Sequence, residues 1–548
     1  MAAADVKIKK RMVDGAIKTY TYQRKLRKNM EVQFSCEADK ETFEEKFDRV
    51  TKIYQSNVNS STRPTNLDIL NNLFDGYLDD ETTGEPAEEK TPDSCKCCNT
   101  LPICEQSSMM FVAEVKEIQD LTKQIQDHGR ICSHPLTLVA DKRSGHVACM
   151  NFVCCKSHDI KFHSTSKEGN RYVGNLKLML GYMCSGMLEA KYETMCQFSD
   201  IGCLSKSERN SMMDTFSLVV QQLAQESIQD ARTEEQGQSL ANGDHGIGII
   251  TDARHSCRKN SYHTDHVALG QLTHKIVDIR HITKDVDKCT QRHESLGFDL
   301  MYEGLDQAGI AVHDHAHDRN PSINKKIRND RKETNNSNDR WHATKGIPTS
   351  IKKIGCGAKK NEGKTWSAQL ADKGTLLKTH FYWAMDKCEG DGDRLRDNLG
   401  TCITHFQNEH SHCDLDSSCR KVPYIPSFVV ITDECAVELL TDFIHSHTIY
   451  KSPVDYLYGR DTGYVESCNN VALIYLDKRI HYGEVCYKTR QNMWVLDWNE
   501  HVDRPITSRS DSMSAEHNRR NLGKKRYTKK TYDFVTKMWN LWVAVHNA

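Results

Sequence analysis

The chain has 548 residues and a formal net charge of −1, with 74 Lys and Arg against 75 Asp and Glu. This length favours several domains over one, and no apolar run reaches the roughly 20 residues of a membrane-spanning helix. We expect no secretory signal in the basic first residues, so the 22 Cys and 26 His favour metal sites over a disulfide framework.

The neutral total hides a strong segregation of charge. Residues 1–30, 321–364 and 504–530 carry local excesses of +7, +8 and +7, whereas residues 68–93 carry −8. A single basic segment is usually a solvated surface. Three of them around one candidate site favour a nucleic-acid partner instead.

Composition and charge also divide the chain into segments. In chain order we predict a basic helical segment over 1–66, an acidic linker over 67–94, a Cys/His-rich zinc module over 95–165, a helical domain over 166–234, a short polar linker over 235–245, a catalytic core over 246–504 with an insertion at about 355–450, and a basic tail over 505–548.

After residue 246 the pattern changes from helical to mixed. Apolar segments at 246–252, 274–280 and 309–312 predict strands, and residues 293–308, 436–447 and 466–500 predict helices. Strands that alternate with helices in this way predict an α/β fold in which a mixed sheet is flanked by helices.

Three acidic residues lie at the ends of these predicted elements. Asp252 ends the first strand, Asp318 follows a later strand, and Glu466 begins a helix. Two carboxylates at adjacent strand ends and a third on a facing helix can hold two divalent cations about 3.5–4 Å apart, and oxygen ligands favour Mg²⁺ or Mn²⁺. Acids at strand ends are also common as caps and turn residues, so spacing alone leaves both roles open.

Four motifs around these acids carry a resemblance to a known family. They are the segments 251–255, 317–325 (with Asp-Arg-Asn and Asn-Lys), 338–345 (with Trp-His) and 464–470 (with Glu-x-x-Asn-Asn), the last followed by 478–483 and 498–504. In this order they resemble the RNase H-fold DDE transposases, above all a transposon-derived group of animal proteins. The last motif is also similar to the third-acid helix of bacterial insertion-sequence transposases. The resemblance spans residues 246 to about 504.

The resemblance implies an RNase H-like sheet on which Asp252, Asp318 and Glu466 are catalytic and hold two Mg²⁺ or Mn²⁺ ions. Asp314 is an alternative to Asp318, and Glu500 is an alternative to Glu466. The Arg-Asn pair after Asp318 and the Asn-Asn pair after Glu466 favour the first choice in each case.

Two Cys/His clusters are predicted to hold structural zinc. The cluster inside the insertion consists of His405, His410, Cys413 and Cys419, with His412 as an alternative to His410. The cluster before the core resembles a zinc-braced β-hairpin with the ligands Cys132, His146, Cys154 and His158. Adjacent cysteines leave the ligand register of this second cluster open.

Basic and aromatic residues near the acids are the predicted DNA contacts. They are Lys325, Lys326, Arg328 and Arg331 after the second acid, Trp341 and His342 on a predicted strand, Lys478 and Arg479 after the third acid, and Lys524, Lys525 and Arg526 in the tail. The basic run 521–530, which contains these tail residues, also fits a nuclear localisation signal.

We therefore predict a nuclear transposase, or a protein derived from one, that binds double-stranded DNA at transposon ends and target and cleaves and transfers strands with Mg²⁺ or Mn²⁺. We expect a homodimer or higher oligomer and no membrane partner. The alternative is a domesticated, non-catalytic zinc-dependent DNA-binding protein of regulation or chromatin. Cys468 and Asp497, which depart from the family pattern, fit that alternative.

Overall fold

The computed structural model describes residues 110–257, 260–421, 423–509 and 525–547, all within the compact unit that comprises residues 95–548. The predicted basic segment 1–66, the predicted acidic linker 67–94, residues 95–109 of the predicted zinc module and Lys524 lie outside the described residues.

A helix and a small antiparallel sheet begin the described chain. They are α1 (Val115–Ile131), β1 (Thr137–Ser144), β2 (Val147–Val153) and β3 (Asp159–His163), with sheet order β1-β2-β3, followed by the two-residue strands β4 (Lys167–Glu168) and β5 (Arg171–Tyr172). Gly145 makes the tight turn between β1 and β2 with φ +62°, where an added Cβ would meet Asn175 and Leu204.

Three helices follow, and the last of them extends beyond the predicted end of the helical domain at residue 234. They are α2 (Val173–Cys184), α3 (Glu189–Ser199) and α4 (Lys206–Ala241). Ser205 and Glu208 form a capping box that starts α4. The predicted linker 235–245 is wrong, because α4 continues to Ala241 and the buried Glu235 accepts hydrogen bonds from the backbone N–H groups of Leu272 and Thr273.

A five-stranded mixed sheet forms the centre of the fold. Its strands are β6 (Ile247–His255), β7 (His263–Gly270), β8 (Ile276–Thr283), β9 (Val312–His317) and β10 (Asn335–Asn338), in the order β10-β9-β6-β7-β8. The strands β6, β7 and β8 pair antiparallel, and β9 pairs parallel with both β6 and β10. The prediction of a mixed sheet flanked by helices is confirmed.

Two helical crossovers connect the parallel strands. They are α5 (Thr290–Gln307), between β8 and β9, and α6 (Pro321–Asp330), between β9 and β10. Parallel neighbours end at the same edge of a sheet. The register pairs Thr251 of β6 with His317, the last residue of β9, so Asp252 and Asp318 follow this pair side by side, while β6 continues to His255 against β7.

A helical insertion follows β10 and has its own hydrophobic core. Its helices are α7 (Arg340–Thr344), α8 (Ile347–Gly355), α9 (Lys373–Asp386), α10 (Gly392–Phe406), α11 (Glu434–Ser446) and α12 (Thr448–Lys451). The core includes Phe381, Leu395 and Leu399 and extends to Tyr456. The inserted region is therefore longer at both ends than the predicted 355–450. Trp341 and His342 lie in α7 and not on the predicted strand.

The chain ends with helices that pack against the sheet and the long helix α4. These last elements are α13 (Gly463–Tyr475), α14 (Glu484–His501), β11 (Ile506–Arg509), β12 (Lys525–Tyr527) and α15 (Asp533–Asn547). The predicted helical run 466–500 is thus two helices, separated by a segment in which Arg479 has φ 75°. None of the helices in the described residues is long and apolar enough to cross a membrane.

A buried hydrogen-bond network around Asp265 of β7 ties these elements together. The fully buried Asp265 carboxylate lies 3.3 Å from Arg254 Nη1 and 2.9 Å from His281 Nδ1. It also accepts hydrogen bonds from Tyr487 Oη (2.6 Å) and Gln491 Nε2 (2.7 Å) of α14. Burial opposes ionisation of Asp265, but the His281 and Arg254 side chains outweigh it and hold its pKa below the ordinary value.

Replacement of Asp265 by Asn is expected to lower the free energy of unfolding by about 3–5 kcal/mol, because it leaves the Arg254 guanidinium buried without a counter-charge. Urea unfolding followed by tryptophan fluorescence would measure the loss. Glu389→Gln, in an exposed pair with Arg394, is the control and is expected to cost less than about 1 kcal/mol. Similar losses for the two variants would contradict this role of Asp265.

Candidate functional site

Three acidic side chains from three separate elements converge at the edge of the sheet. Asp252 comes from β6, Asp318 follows β9 directly, and Glu466 lies in the first turn of α13. Asp252 is partly buried, whereas 44% of the Asp318 side chain and 50% of the Glu466 side chain are exposed. The structure therefore brings the three predicted catalytic acids together, with two of them open to solvent.

The electrostatics of Asp252 reflect this convergence. Burial raises its pKa, and so do the charges of Asp318 and Glu466; hydrogen bonds from the Ala253 N–H (2.8 Å) and Asn469 Nδ2 (2.7 Å) partly offset the effect. The net result is a pKa of about 6, well above that of an ordinary aspartate. Negative charge is therefore crowded at a point where a divalent cation would neutralise it.

A fourth carboxyl group lies beside the three acids. Burial raises the pKa of Glu294, on α5, to about 7, and the charges of Asp252 and Asp318 contribute, although a hydrogen bond with Asn320 opposes the shift. Glu294 was not predicted from the sequence. A polar segment between strands does not indicate which side of its helix faces the site. Asn469, in contrast, is the first Asn of the Glu-x-x-Asn-Asn motif.

The two alternative acids have structural roles. Asp314 is almost fully buried and accepts hydrogen bonds from Arg460 Nε (2.7 Å) and Ser337 Oγ (2.6 Å). Glu500 accepts hydrogen bonds from the backbone N–H groups of Asp533 and Phe534, both at 2.7 Å, and so caps the start of α15. Neither carboxylate is free to serve the site in place of Asp318 or Glu466.

His342 and Asp339 complete the inner surface of the site. The His342 Nδ1 atom lies 3.1 Å from Asp318 Oδ1 and 3.2 Å from Asp339 Oδ1, and its Nε2 lies 3.8 Å from Glu466 Oε1. The Thr462 hydroxyl lies 2.7 Å from Asp339 Oδ2 and 3.1 Å from Asp318 Oδ1. Asp318, Asp339 and His342 thus form one group whose ligand atoms are close enough to hold a cation.

The two residues that depart from the family pattern are both accommodated by the core. Cys468 is fully buried, and its carbonyl oxygen accepts a hydrogen bond from Trp494 Nε1 at 3.0 Å. Asp497 is buried in ion pairs with Lys530 (2.6 Å) and His501 (2.7 Å). Both residues thus have defined structural roles, so they do not by themselves indicate a decayed copy.

The first Cys/His cluster joins the end of α1 to the end of the β2–β3 hairpin. Its members are His128, Cys132, Cys154 and His158, whose ligand atoms all lie within 4.8 Å of one another. The Cys132 and Cys154 sulfurs are 4.0 Å apart, and Cys154 Sγ is 3.4 Å from His158 Nδ1. Burial opposes ionisation of Cys154, but hydrogen bonds from His158 and Lys156 outweigh it and lower its pKa, which favours the thiolate that zinc binds.

This cluster differs from the predicted one at a single ligand. His146 lies at the opposite end of the hairpin, where its Nε2 is 2.6 Å from the Tyr192 hydroxyl and its Nδ1 is 3.3 Å from the Ile201 carbonyl oxygen. His128 takes its place in the group. A signal for His128 was present in the matched spacings His128-x3-Cys132 and Cys154-x3-His158, the first of which closes one helical turn.

The second Cys/His cluster lies where α10 ends in the insertion. The structure groups His405, His410, Cys413 and Cys419, the four predicted residues, with ligand atoms within 4.8 Å of one another. His405 Nδ1 and His410 Nδ1 are 3.4 Å and 3.7 Å from Cys413 Sγ. His412 is exposed and outside the group. Burial and the nearby Cys419 raise the pKa of Cys413 to about 12, so a bound cation would displace its proton.

The predicted DNA contacts after the second acid are mostly engaged within the protein. Ion pairs join Lys326 to Asp299, Arg328 to Asp455 and Arg331 to Asp306. Lys325 is exposed and forms no ion pair with any of the described residues. Of these four side chains, Lys325 is therefore the one whose charge is available to a phosphate.

The other predicted DNA contacts lie at exposed positions. Lys478 and Arg479 are in the segment between α13 and α14, and Arg479 donates its backbone N–H to Ser256 O. Lys525 and Arg526 lie on β12, which is exposed along its length. Trp341 is 45% exposed and packs edge-on against the His342 ring. These residues can all reach a partner outside the protein.

Replacement of Asp252 by Asn is expected to stabilise the protein at pH 7.5 when no Mg²⁺ or Mn²⁺ is added. The folded-state pKa of about 6 exceeds the ordinary value of 3.8, so ionisation of Asp252 costs stability as the pH rises through this range. The gain from Asn is on the order of 3 kcal/mol at pH 7.5 and disappears below about pH 3, where Asp252 is neutral in both the folded and the unfolded protein. Thermal melts across this range would show it. The exposed Asp230→Asn serves as control, and a gain that does not depend on pH would contradict the argument.

A comparison with known protein families identifies a transposase family. The sequence model of the Mutator-like transposase family matches residues 109–419, a segment that contains both Cys/His clusters, Asp252 and Asp318 and ends before Glu466. No curated protein gives a significant match. Because the matched segment is more than half of the chain, the protein belongs to the Mutator-like transposase family.

Proposed function

We propose that this protein is a DDE transposase that cleaves DNA at transposon ends and transfers the strands to a target. The observation that carries the proposal is the convergence of Asp252, Asp318 and Glu466 from β6, β9 and α13. Membership of the Mutator-like family supports the same class of activity. The charged, partly open site supports chemistry on a phosphodiester, since it can hold the cations that such a reaction needs.

The sheet supports assignment of an RNase H-like fold to the core. Three antiparallel strands are followed by two parallel strands that helices connect. Asp252 lies where the pairing of β6 with β9 ends, and Asp318 follows the carboxyl end of β9. In open sheets of this kind, ligands bind at the carboxyl ends of the strands. The insertion between β10 and α13 enlarges this core and leaves the order of its strands intact.

The donor set at the site fits Mg²⁺ or Mn²⁺. Carboxylate oxygens are the ligands that these cations prefer, and two such cations would activate the attacking oxygen and stabilise the leaving oxygen in an in-line displacement. Asp252, Asp318 and Glu466 would hold them. Asn469 and the Ala253 N–H orient the Asp252 carboxylate, and Thr462 orients that of Asp318. The attacking group is water or a DNA 3′-hydroxyl, so no covalent protein intermediate is required.

DNA would approach from the exposed side of the three acids. Lys325, Lys478 and Arg479 are exposed and free for phosphate contacts, and Trp341 offers an aromatic face beside the site. The basic strand β12 would extend the contact or direct the protein to the nucleus. Pairing of two transposon ends would require a homodimer or a larger assembly.

The two Cys/His clusters are proposed to hold structural zinc. Each provides four nitrogen or sulfur ligands, which suits a closed tetrahedral site. The first cluster would fix α1 to the small sheet. The second would order residues 407–421 at the start of the irregular segment between α10 and α11, where Leu415 is the one large apolar residue.

Each of the variants Asp252→Asn, Asp318→Asn and Glu466→Gln is expected to reduce Mg²⁺- or Mn²⁺-dependent cleavage of transposon-end DNA by more than about 100-fold, because each removes a ligand of the reacting cations. Cleavage of end-labelled DNA and of supercoiled plasmid would measure the loss. Glu500→Gln is the matched control, since that carboxylate caps α15 and is expected to leave cleavage nearly unchanged.

The outcome also decides between the catalytic and non-catalytic proposals. Cleavage that survives Asp252→Asn and Glu466→Gln would show that these acids are not the catalytic residues. If the wild-type protein cleaves neither cognate ends nor plasmid, the domesticated zinc-dependent DNA-binding protein becomes the better proposal. The intact Cys/His clusters are the observation that favours this second function.

Zinc content is expected to fall by one atom per chain in Cys132→Ser and again by one in Cys413→Ser, because each variant removes a thiolate from one four-ligand group. Elemental analysis of the purified full-length protein would measure it. Cys155→Ser and His412→Gln are the matched controls, as these neighbours lie outside the groups. Unchanged zinc content in either ligand variant would disprove that site.

A further inference from the structure

His342 lies deeper in the site than a DNA contact would require. Its ring occupies the space between the second and third acids, with Nδ1 3.1 Å from Asp318 Oδ1 and Nε2 3.8 Å from Glu466 Oε1. Only 23% of its side chain is exposed. The ring thus faces the carboxylates that the proposed function assigns to the cations, and a DNA strand would meet Trp341 first.

The distance between Nδ1 and the Asp318 carboxylate matches the spacing of two ligands on one cation. In octahedral coordination with bonds of about 2.1 Å, adjacent ligand atoms are about 3 Å apart. The observed 3.1 Å between Nδ1 and Asp318 Oδ1 agrees with this distance between adjacent ligand atoms. The 3.2 Å between Nδ1 and Asp339 Oδ1 agrees with it as well. A cation could therefore be shared by Asp318 and His342 without movement of the ring.

The Nδ1 atom has no other partner in the described structure. It is shielded from solvent, and despite its short distances to Asp318 and Asp339 it forms no hydrogen bond of acceptable geometry with either. Buried polar atoms are nearly always satisfied, so an unpaired ring nitrogen this close to two carboxylates calls for a ligand. A cation at Asp318 would give Nδ1 the partner that it lacks.

The surroundings hold the His342 ring in this orientation. The backbone N–H of His342 donates to Asp339 Oδ1, which fixes the first turn of α7. Asp339 Oδ2 is in turn bound by the Thr462 N–H (2.6 Å) and hydroxyl (2.7 Å). Outer contacts of this kind orient the ligands of metal sites. Asp339 is therefore a positioning residue, and His342 is the group that it positions.

We propose that His342 Nδ1 is a nitrogen ligand of the cation held by Asp318, and that it makes the site prefer Mn²⁺ to Mg²⁺. Mg²⁺ binds oxygen ligands almost exclusively and retains much of its water, whereas transition-metal cations accept imidazole readily. The inference rests on the proposed function only in placing a cation at Asp318. It goes further in naming a ligand outside the three acids and the cation that this ligand selects.

The spectrum of bound Mn²⁺ tests the proposal directly. Electron spin echo envelope modulation of full-length protein, with its zinc sites filled and one equivalent of Mn²⁺ added, is expected to show coupling to a directly bound ¹⁴N nucleus. The coupling is expected to disappear in His342→Gln. It is expected to persist in His313→Gln, a control at the start of β9, the strand that Asp318 follows.

Affinity for the two cations gives a second readout. His342→Gln is expected to weaken Mn²⁺ binding about tenfold and Mg²⁺ binding much less, so that the ratio of the two affinities falls. An unchanged thermal melt of the variant would show that its fold is intact. If His342→Gln weakened the binding of Mn²⁺ and of Mg²⁺ equally, His342 would act only on the shape of the site, and the proposal would be overturned.

These results separate the inference from the proposed function. Absence of ¹⁴N coupling in the wild-type protein, or its survival in His342→Gln, would overturn the role of His342 while Asp318→Asn and Glu466→Gln still abolished Mn²⁺ binding and cleavage. If Asp318→Asn and Glu466→Gln left both Mn²⁺ binding and cleavage unchanged, the proposed function itself would fail.

Discussion

The parallel pairing of β6 with β9 is the constraint on which the site depends. Its register sets Thr251 beside His317, so the residues that follow, Asp252 and Asp318, lie side by side where β9 ends, although a hairpin and a helix separate them in the chain. A parallel pair requires a crossover, and α5 provides it. The same crossover brings Glu294 to the site, so the fourth carboxyl group is a consequence of the connection that brings the first two together.

The third acid depends on a different part of the molecule. Arg254 follows Asp252 closely in β6, and it bonds both the buried Asp265 carboxylate and the Leu476 carbonyl oxygen at the end of α13. The helix that carries Glu466 is thereby fixed to the strand that carries Asp252. Burial and the repulsion from Asp318 and Glu466 raise the pKa of Asp252, and this repulsion would otherwise drive these elements apart, so the Asp265 network opposes the electrostatic cost of the site.

Sequence patterns predicted the parts of this structure that depend on local chemistry. The apolar segments before Asp252 and Asp318 correctly predicted two strands of the sheet. The four residues of the insertion cluster were predicted to lie together because they are close in the chain. The strand β7 was missed, because its buried polar residues, including Asp265, are satisfied only by side chains from distant elements. His128 was not among the predicted ligands for a related reason, since which end of a hairpin meets a helix is decided by packing.

The insertion from α7 to Tyr456 has a hydrophobic core of its own, and it lies between the second acid and the third in the order of synthesis. Domains generally fold as units while the chain emerges, so this region can become compact before Glu466 has left the ribosome. A chain that stops within the insertion would contain Asp252 and Asp318 on a sheet but no helix to oppose them. Under the proposed function, prematurely terminated products would then lack the third cation ligand and would not cleave DNA.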